Sequence, residues 1–391
     1  MVSTSAALAP LMDAIKTAPV VAFDTEFVGE HSYEPQLCLI QLATSDAAWI
    51  VDPLTGLDLA GLWSALTAPG REVVALAARL EVLFCLRYAH RPPSQLFDPQ
   101  LAAGLVGLGY PLSHTNLVRK VLDISVPAGE TFTDWRKRPL TARQIEYAAA
   151  DVQHLLEVRR RLLEQAGRMN RVDWIAGECA GLVERVVKSE DEERWWRVSG
   201  ATSLSRRGLG VLRELWRWRD AAARTTDVPP RRVLSDDIMV EVAKRSPTTV
   251  DDLFALRGLE RGSLRKAGGE MVAAVKRGMD LPNDQLPDLR RRDDPPQVST
   301  VTQVVSVVAN SLAARHQVDP ALLATTADLQ ELVRWRLGAA ERERPAVLDG
   351  WRGEILGRPL LDLLDGRSII RITDLKAPDP VRIEPRHPAG T

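Results

Sequence analysis

Val20-Val21-Ala22-Phe23-Asp24-Thr25-Glu26-Phe27 is an apolar, β-prone run that takes on two acids just before its end. Side chains alternate across a strand, so Asp24 and Glu26 project from one face of any sheet that this run joins. Two carboxylates on one face repel each other. A solvent-facing strand edge would dilute that repulsion, and a divalent cation would offset it. The flanks, Val20 to Phe23 and Phe27, favour the cation, because a buried strand does not keep unpaired charge.

Working outward, residues Leu37 to Ala43 and Ala48 to Val51 are two more short β-prone runs, separated by turn residues, and the three strands read as a meander. Val73 to Leu76 offers a fourth strand, while Leu80 to Tyr88, Pro99 to Val106 and Leu117 to Leu122 have the spacing of short helices. This alternation predicts a mixed α/β unit. One long helix is expected to close it over residues 142–166, opened by a capping box of Thr141 and Gln144 and ended at Gly167. Tyr147 and Asp151 lie four apart on that helix and share a face, beside Ala148-Ala149-Ala150, whose small side chains allow close approach to a sheet. Alone, such a pair is ordinary. With Asp24 and Glu26 in the same unit it becomes a candidate carboxylate cluster.

These stretches resemble the DEDD-type 3′-5′ exonucleases, in the branch that carries Tyr and, within it, the ribonuclease D family. The likeness runs through Phe23-Asp24-Thr25-Glu26-Phe27, Pro35-Gln36-Leu37-Cys38-Leu39-Ile40-Gln41-Leu42, Thr133-Asp134-Trp135-Arg136-Lys137-Arg138-Pro139-Leu140 and Glu146-Tyr147-Ala148-Ala149-Ala150-Asp151-Val152. The next part of the chain resembles the HRDC helical module, through Trp216-Arg217-Trp218-Arg219-Asp220, Pro229 to Leu234 and Leu256-Arg257-Gly258-Leu259. The resemblance implies an α/β ribonuclease-H-like exonuclease domain followed by all-α HRDC-type helical domains. It further implies two divalent cations, Mg2+ or Mn2+, held by four carboxylates, one ion activating the attacking water and the other stabilising the leaving 3′ oxygen. Residue by residue, it assigns metal binding to Asp24, Glu26 and Asp151, and orientation or deprotonation of the water to Tyr147.

The fourth carboxylate departs from the pattern. The second motif of these exonucleases is usually a strand ending in His-Ala-Gly, followed two residues later by Asp; here the register reads Leu76-Ala77-Ala78-Arg79-Leu80-Glu81. Glu replaces Asp and Leu replaces His. Glu81 is the candidate ligand, although its extra methylene shifts the carboxylate by about 1.5 Å, which matters to Mg2+ with its octahedral demand.

The expected organisation is an exonuclease domain over 1–187, a linker over 188–205, an HRDC domain over 206–285, a linker over 286–300, a second HRDC-like domain over 301–375 and a disordered tail over 376–391. In this reading the protein is an exoribonuclease that trims the 3′ single-stranded tails of tRNA precursors or other small structured RNAs, releasing nucleoside 5′-monophosphates. Two rivals stand beside it: a DNA exonuclease of the same branch, and a nucleic-acid-binding protein whose site has decayed at Leu76 and Glu81.

Composition bounds the rest. At 45% hydrophobic and 26% charged residues, the 391-residue chain has the make-up of ordinary globular domains, which excludes wholesale disorder. No apolar run reaches the ~18 residues that span a bilayer, and Met1 to Ser5 lack a signal-peptide pattern, so no membrane partner and a cytoplasmic location are expected. Cys38, Cys85 and Cys179 form no C-x-x-C pair and read as buried thiols. The six histidines, His114 among them, show no ligand spacing and read as loop or surface residues. Charge is segregated: residues 1–165 carry 14 basic and 18 acidic side chains, and residues 201–285 carry 16 and 12. A basic central unit is either a nucleic-acid footprint or a solvated arginine-rich surface. Asp98 reads as a helix N-cap.

Overall fold

In the computed structural model, the described residues are 1–126, 133–259, 262–289, 294–338, 343–377 and 379–386. Chain order begins with helix α1 (Ser5–Thr17), the strands β1 (Val20–Val28), β2 (Gln36–Ala43) and β3 (Ala48–Val51), helix α2 (Ala60–Leu66) and strand β4 (Glu72–Val74). Helix α3 (Arg79–Ala89), strand β5 (Gln95–Phe97), and helices α4 (Pro99–Leu105), α5 (His114–Leu122), α6 (Ala142–Gln153), α7 (Leu155–Arg168) and α8 (Val172–Asp191) follow. The sheet has the order β3-β2-β1-β4-β5; β1, β2 and β3 pair antiparallel as the expected meander, while β4 and β5 run parallel to β1.

Two cores flank this sheet. Val21, Phe23, Ile40 and Leu42 point to one face, where Leu11, Ile15, Leu62, Trp63 and Phe84 cover them. On the other face Leu39 and Ile50 pack with Ala148 of α6. The three consecutive alanines let α6 lie close on β2 and β3.

The expected helix over 142–166 is two helices. His154, at φ −102° and ψ −8°, divides α6 from α7. The cause is packing: α6 lies on β2 and β3, whereas α7 turns toward α4 and α5, and one straight rod cannot do both. Helix α1 escapes sequence reading because Pro10 interrupts its pattern, and β5 because three residues show no period.

The central unit holds α9 (Arg206–Thr226), α10 (Pro230–Val233), α11 (Asp236–Arg245), α12 (Val250–Phe254), α13 (Gly262–Lys266) and α14 (Gly268–Met279). Its core is separate from those of the nuclease unit. Helices α9 and α14 cross so tightly that a Cβ on Gly278 would stand 2.4 Å from the Val211 Cα, a clash only glycine avoids. The stretch read as a linker over 188–205 belongs in part to this core: α8 continues to Asp191, and Trp195, Val198, Ala201 and Leu204 are buried. The Arg290-Arg291-Arg292 run lies outside the described residues.

The third unit comprises α15 (Pro296–Arg315), α16 (Pro320–Leu323), α17 (Thr326–Arg336), α18 (Gly350–Arg352) and α19 (Arg358–Leu364), then strands β6 (Ser368–Ile372) and β7 (Val381–Pro385). The tail over 376–391 is therefore not wholly disordered. Val381 and Ile383 alternate with Arg382 and Glu384, β7 pairs antiparallel with β6, and Ile370 and Ile383 pack onto the core. Among the described residues, no helix is long and apolar enough to cross a membrane.

This third unit shares one hydrophobic core with the nuclease unit, from Leu105, Leu117 and Val158 through to Val308, Leu332 and Leu356. At the seam Trp174 and Trp351 stack 4.8 Å apart, and the Trp351 indole donates to Glu178 at 3.0 Å. Arg352 clamps the same carboxylate with both terminal nitrogens. Gly104 is required there, since a Cβ would meet Leu322 at 2.5 Å and Tyr110 at 2.8 Å. The central unit instead touches the nuclease unit through polar groups. The Tyr33 hydroxyl donates to Asp220 at 2.8 Å and accepts from Arg224 at 2.9 Å, its backbone N–H donates to Asp227, and Arg232 meets His31.

Glu178→Ala removes the acceptor for Trp351 and leaves Arg352 without its carboxylate. Losing one partner of such a largely buried pair costs about 3 kcal/mol. Because the two units share a core, the expected outcome is that they unfold together at lower urea than in the parent, followed by amide hydrogen exchange of the helices Val172–Asp191 and Pro296–Arg315. Different unfolding midpoints for these two helices in the parent chain would show that the units unfold independently.

Candidate active site

Strand β1 carries Asp24 and Glu26, and a β-bulge follows between Glu26 and Phe27. Strand β4 pairs with β1 only along Val20 to Ala22. The chain then turns at Ala77, at φ 54°, and enters α3. That turn brings Glu81 alongside the part of β1 that β4 leaves free, where the Thr25 hydroxyl donates to Glu81 Oε1 at 2.7 Å. Asp98 braces the turn, its carboxylate accepting from the N–H groups of Ala77 and Ala78 at 3.1 Å each while also capping α4 through Gln100. Helix α6 supplies Tyr147 and Asp151, and its start is fixed by the reciprocal capping box of Thr141 and Gln144.

All five candidate residues meet at this corner of the sheet. Burial pushes the Asp24 carboxyl up to about 6 against a hydrogen bond with the Thr25 backbone, and burial with Asp24 nearby raises Asp151 to about 7. Glu26 rises to about 8 through burial and then through Asp24, Asp151 and Glu81. Glu81 rises to about 8 through burial and Asp24, opposed by the Thr25 hydroxyl. Asp24 acts on each of the other three, so it is the hub of the repulsion. Tyr147 is raised by burial and by Asp151, to which it is hydrogen-bonded, and its hydroxyl stays protonated. Its ring stacks on buried Trp135 at 6.1 Å.

These groups fit a hard divalent cation by their chemistry, since all four are oxygen donors and their charges need an opposing one. Among the described residues no group of three His, Cys, Asp or Glu side chains is already drawn together as a ligand set. The carboxylates stand near enough to repel one another without converging.

Three neighbours escaped sequence reading. Thr25 lies between the two acids and serves Glu81. His114 is not a loop or surface residue: its side chain is 15% exposed, its Nδ1 is 3.4 Å from Asp151 Oδ1, and burial, then His154, lowers it to about 4. The ring is neutral there, and the contact is longer than a well-formed hydrogen bond. Gln41 is fully buried opposite Asp24 with neither amide atom partnered among the described residues, which costs about 1–3 kcal/mol. No spacing rule points to His114; Gln41 announced itself only as a polar residue in an apolar run. Arg138 is structural. It donates to Asp52 and to the Cys38 and Trp135 carbonyls, tying the 133–139 segment beside α6.

A cleft of about 620 Å³ opens beside Glu26, lined by Phe27, Val28, His31, Trp135 and Arg136 among others. That volume suits a small organic ligand.

The pKa directions carry a stability consequence. The four carboxyls hold protons more tightly folded than unfolded, where they titrate at 3.8 to 4.5. Across pH 4 to 8 the native site therefore binds more protons than the unfolded chain, and stability falls as pH rises. Metal-free protein is expected to melt at a lower temperature at pH 8 than at pH 5, with Glu81→Gln flattening the difference. A stabilising effect of Mg2+ or Mn2+ that grows with pH completes the expectation, and thermal melts across that range check it.

Comparison with known proteins sets this geometry in context. Residues 1–166 match the 3′-5′ exonuclease family, residues 208–275 the HRDC domain and residues 296–360 the ribonuclease D C-terminal HRDC domain. The chain is 35% identical to a ribonuclease D of Gluconacetobacter diazotrophicus over 376 residues, covering 95% of this chain and 94% of that one. It is 32% identical to a ribonuclease D of Granulibacter bethesdensis over 377 residues, with 95% and 94% covered. Among solved structures it is similar to Escherichia coli RNase D, described as an exoribonuclease involved in structured RNA processing, with a TM-score of 0.81, 29% identity and 94% and 98% of the two chains covered. The catalytic core of RRP6 from Trypanosoma brucei shares the fold over 71% of this chain and 79% of that one, at a TM-score of 0.53 and 24% identity.

Proposed function

This chain belongs to the ribonuclease D family, and from that membership we propose that Asp24, Glu26, Glu81, Asp151 and Tyr147 are its hydrolytic centre. As a ribonuclease D it is a 3′-5′ exoribonuclease that processes structured RNAs. The proposed substrates are RNAs with a single-stranded 3′ tail, tRNA precursors foremost, and the products are nucleoside 5′-monophosphates. The observation that carries the site assignment is the meeting of four carboxylates at one corner of the sheet, two on β1, one tied to β1 through Thr25 and one on α6 beside Tyr147.

Two divalent cations, Mg2+ or Mn2+, held by the four carboxylates would supply an activated water and charge relief at the leaving 3′ oxygen. The protein's own groups provide the rest. Asp24 sits at the centre of the charge cluster, and Glu26 at the mouth of the cleft that receives the terminal nucleotide. Tyr147 is placed to orient or deprotonate the attacking water, and the Trp135 stack fixes the ring for that task. Thr25 holds Glu81 through one of its carboxylate oxygens.

The central unit's excess of basic residues is partly consumed internally. Arg217 pairs with Glu193 and Glu214, Arg219 with Asp236, Arg245 with Glu241 and Arg277 with Glu214. Its formal charge therefore overstates the field it offers to a phosphate backbone.

Asp151→Asn keeps the side-chain shape and removes a charge, so hydrolysis of a 3′-tailed RNA should be abolished with the fold intact. Tyr147→Phe should lower turnover by ~10² with little change in RNA affinity, in the range for losing a positioned polar group. Normal turnover in either variant would return that residue to a packing role. Glu81→Gln should lose most activity, whereas Glu81→Asp should retain it and shift the Mg2+ to Mn2+ preference. Matched RNA and DNA oligomers in the same assay decide between the RNA and DNA readings, since stepwise mononucleotide release from DNA alone would overturn the first.

A further inference from the structure

Gln41 is the polar side chain of the sheet that its surroundings leave unanswered. It is fully buried in the middle of β2, and both atoms of its amide lack a partner among the described residues. Among the described residues the other unpartnered buried side-chain atoms are single nitrogens of arginines and of His114. A buried amide with neither end satisfied calls for an explanation.

The register supplies it. Gln41 pairs directly with Asp24 of β1 on one side and with Ile50 of β3 on the other. Directly opposed residues of antiparallel strands share a face, with Cβ atoms about 4.5–5.5 Å apart. That face is the one α6 covers, since Leu39, two residues before Gln41, packs there with Ile50 and Ala148. Along β1 the diagonal neighbours of Gln41 are Ala22 and Glu26, and along its own strand Leu39 and Ala43. Within the sheet the polar side chains beside Gln41 are thus the two acids of β1, with Asp24 the nearer in register, while α6 brings Tyr147 and Asp151 over the same face. A carboxylate accepts several hydrogen bonds, and an amide N–H carries no charge that would compete with a cation.

We propose that Gln41 is a positioning residue for Asp24, turning its amide N–H onto the Asp24 carboxylate when that carboxylate is charged and engaged with a divalent cation. The inference rests on the proposed role of Asp24 as a metal ligand. Hydrogen bonds from a second layer of residues orient ligands and typically change metal affinity by about 10–100-fold. In the metal-free protein the amide is left over, and its cost is borne without return.

Gln41→Leu and Gln41→Met separate this role from ordinary packing, because both keep the side chain's bulk while removing the amide. The expected result is a metal-free melting temperature equal to or above that of the parent, a smaller Mn2+-induced rise, and Mn2+ binding weaker by about tenfold. Turnover should fall with KM for RNA unchanged. A packing role would lower the metal-free melting temperature and leave the Mn2+ affinity as it was; that outcome overturns the proposal. The unmodified full-length chain gives a second reading that needs no folded variant. With glutamine side chains labelled in 15N, the Gln41 amide signal, identified by its loss in Gln41→Met or by its coupling to neighbouring protons, should shift on Mg2+ titration, and a signal indifferent to Mg2+ overturns the proposal. If the parent bound no Mn2+, or Asp24→Asn bound it as tightly as the parent, the assignment of the metal site would fail instead.

Discussion

Like charges held together with little access to water set the terms for this structure. Asp24 raises the protonation of Glu26, Glu81 and Asp151. A cluster of this kind is an expense that the fold must carry, and the architecture around it shows how. The central strand contributes two acids and the threonine between them. A turn braced by Asp98 contributes the third acid, and a capped helix contributes the fourth together with the tyrosine. The four acids are thus shared among three elements, so no one element has to tolerate more than a pair.

Much of this was legible in the sequence. Alternation along Val20 to Phe27 put Asp24 and Glu26 on one face, and the Thr141 and Gln144 signature fixed the start of the helix bearing Tyr147 and Asp151, because both rest on local periodicity. Glu81 needed the family resemblance, since nothing local distinguishes it from a glutamate in the first turn of a surface helix. What stayed hidden depends on contacts between distant residues. His114 reaches Asp151 from 37 positions away, as the numbering shows, and the break at His154 follows from α6 and α7 packing on different partners. The C-terminal hairpin was hidden differently: its second strand falls in the stretch expected to be a disordered tail, yet the alternation of Val381 and Ile383 was present throughout.

The two helical units are attached by unlike means. The third is fused to the nuclease unit by a continuous apolar core and a buried Glu178 clamp, so it is part of the catalytic body rather than an appendage. The central unit has its own core and meets the nuclease unit at the loop between β1 and β2, through Tyr33 and His31. That loop begins three residues after Glu26 and lines the cleft. The central unit therefore bears on the wall of the cleft itself, in addition to whatever it offers to RNA.

The contrast between the seams has a calorimetric side. Separating Trp174 from Trp351 and opening the shared core would bring apolar surface into water and raise the heat capacity. Releasing Tyr33 from Asp220 and Arg224 exposes hydrogen-bonding groups and one aromatic ring under a guanidinium, with little apolar area. The first separation leaves a large heat-capacity signature and the second a small one. The central unit can thus disengage from the nuclease loop with little of the thermal trace by which domain opening is usually recognised.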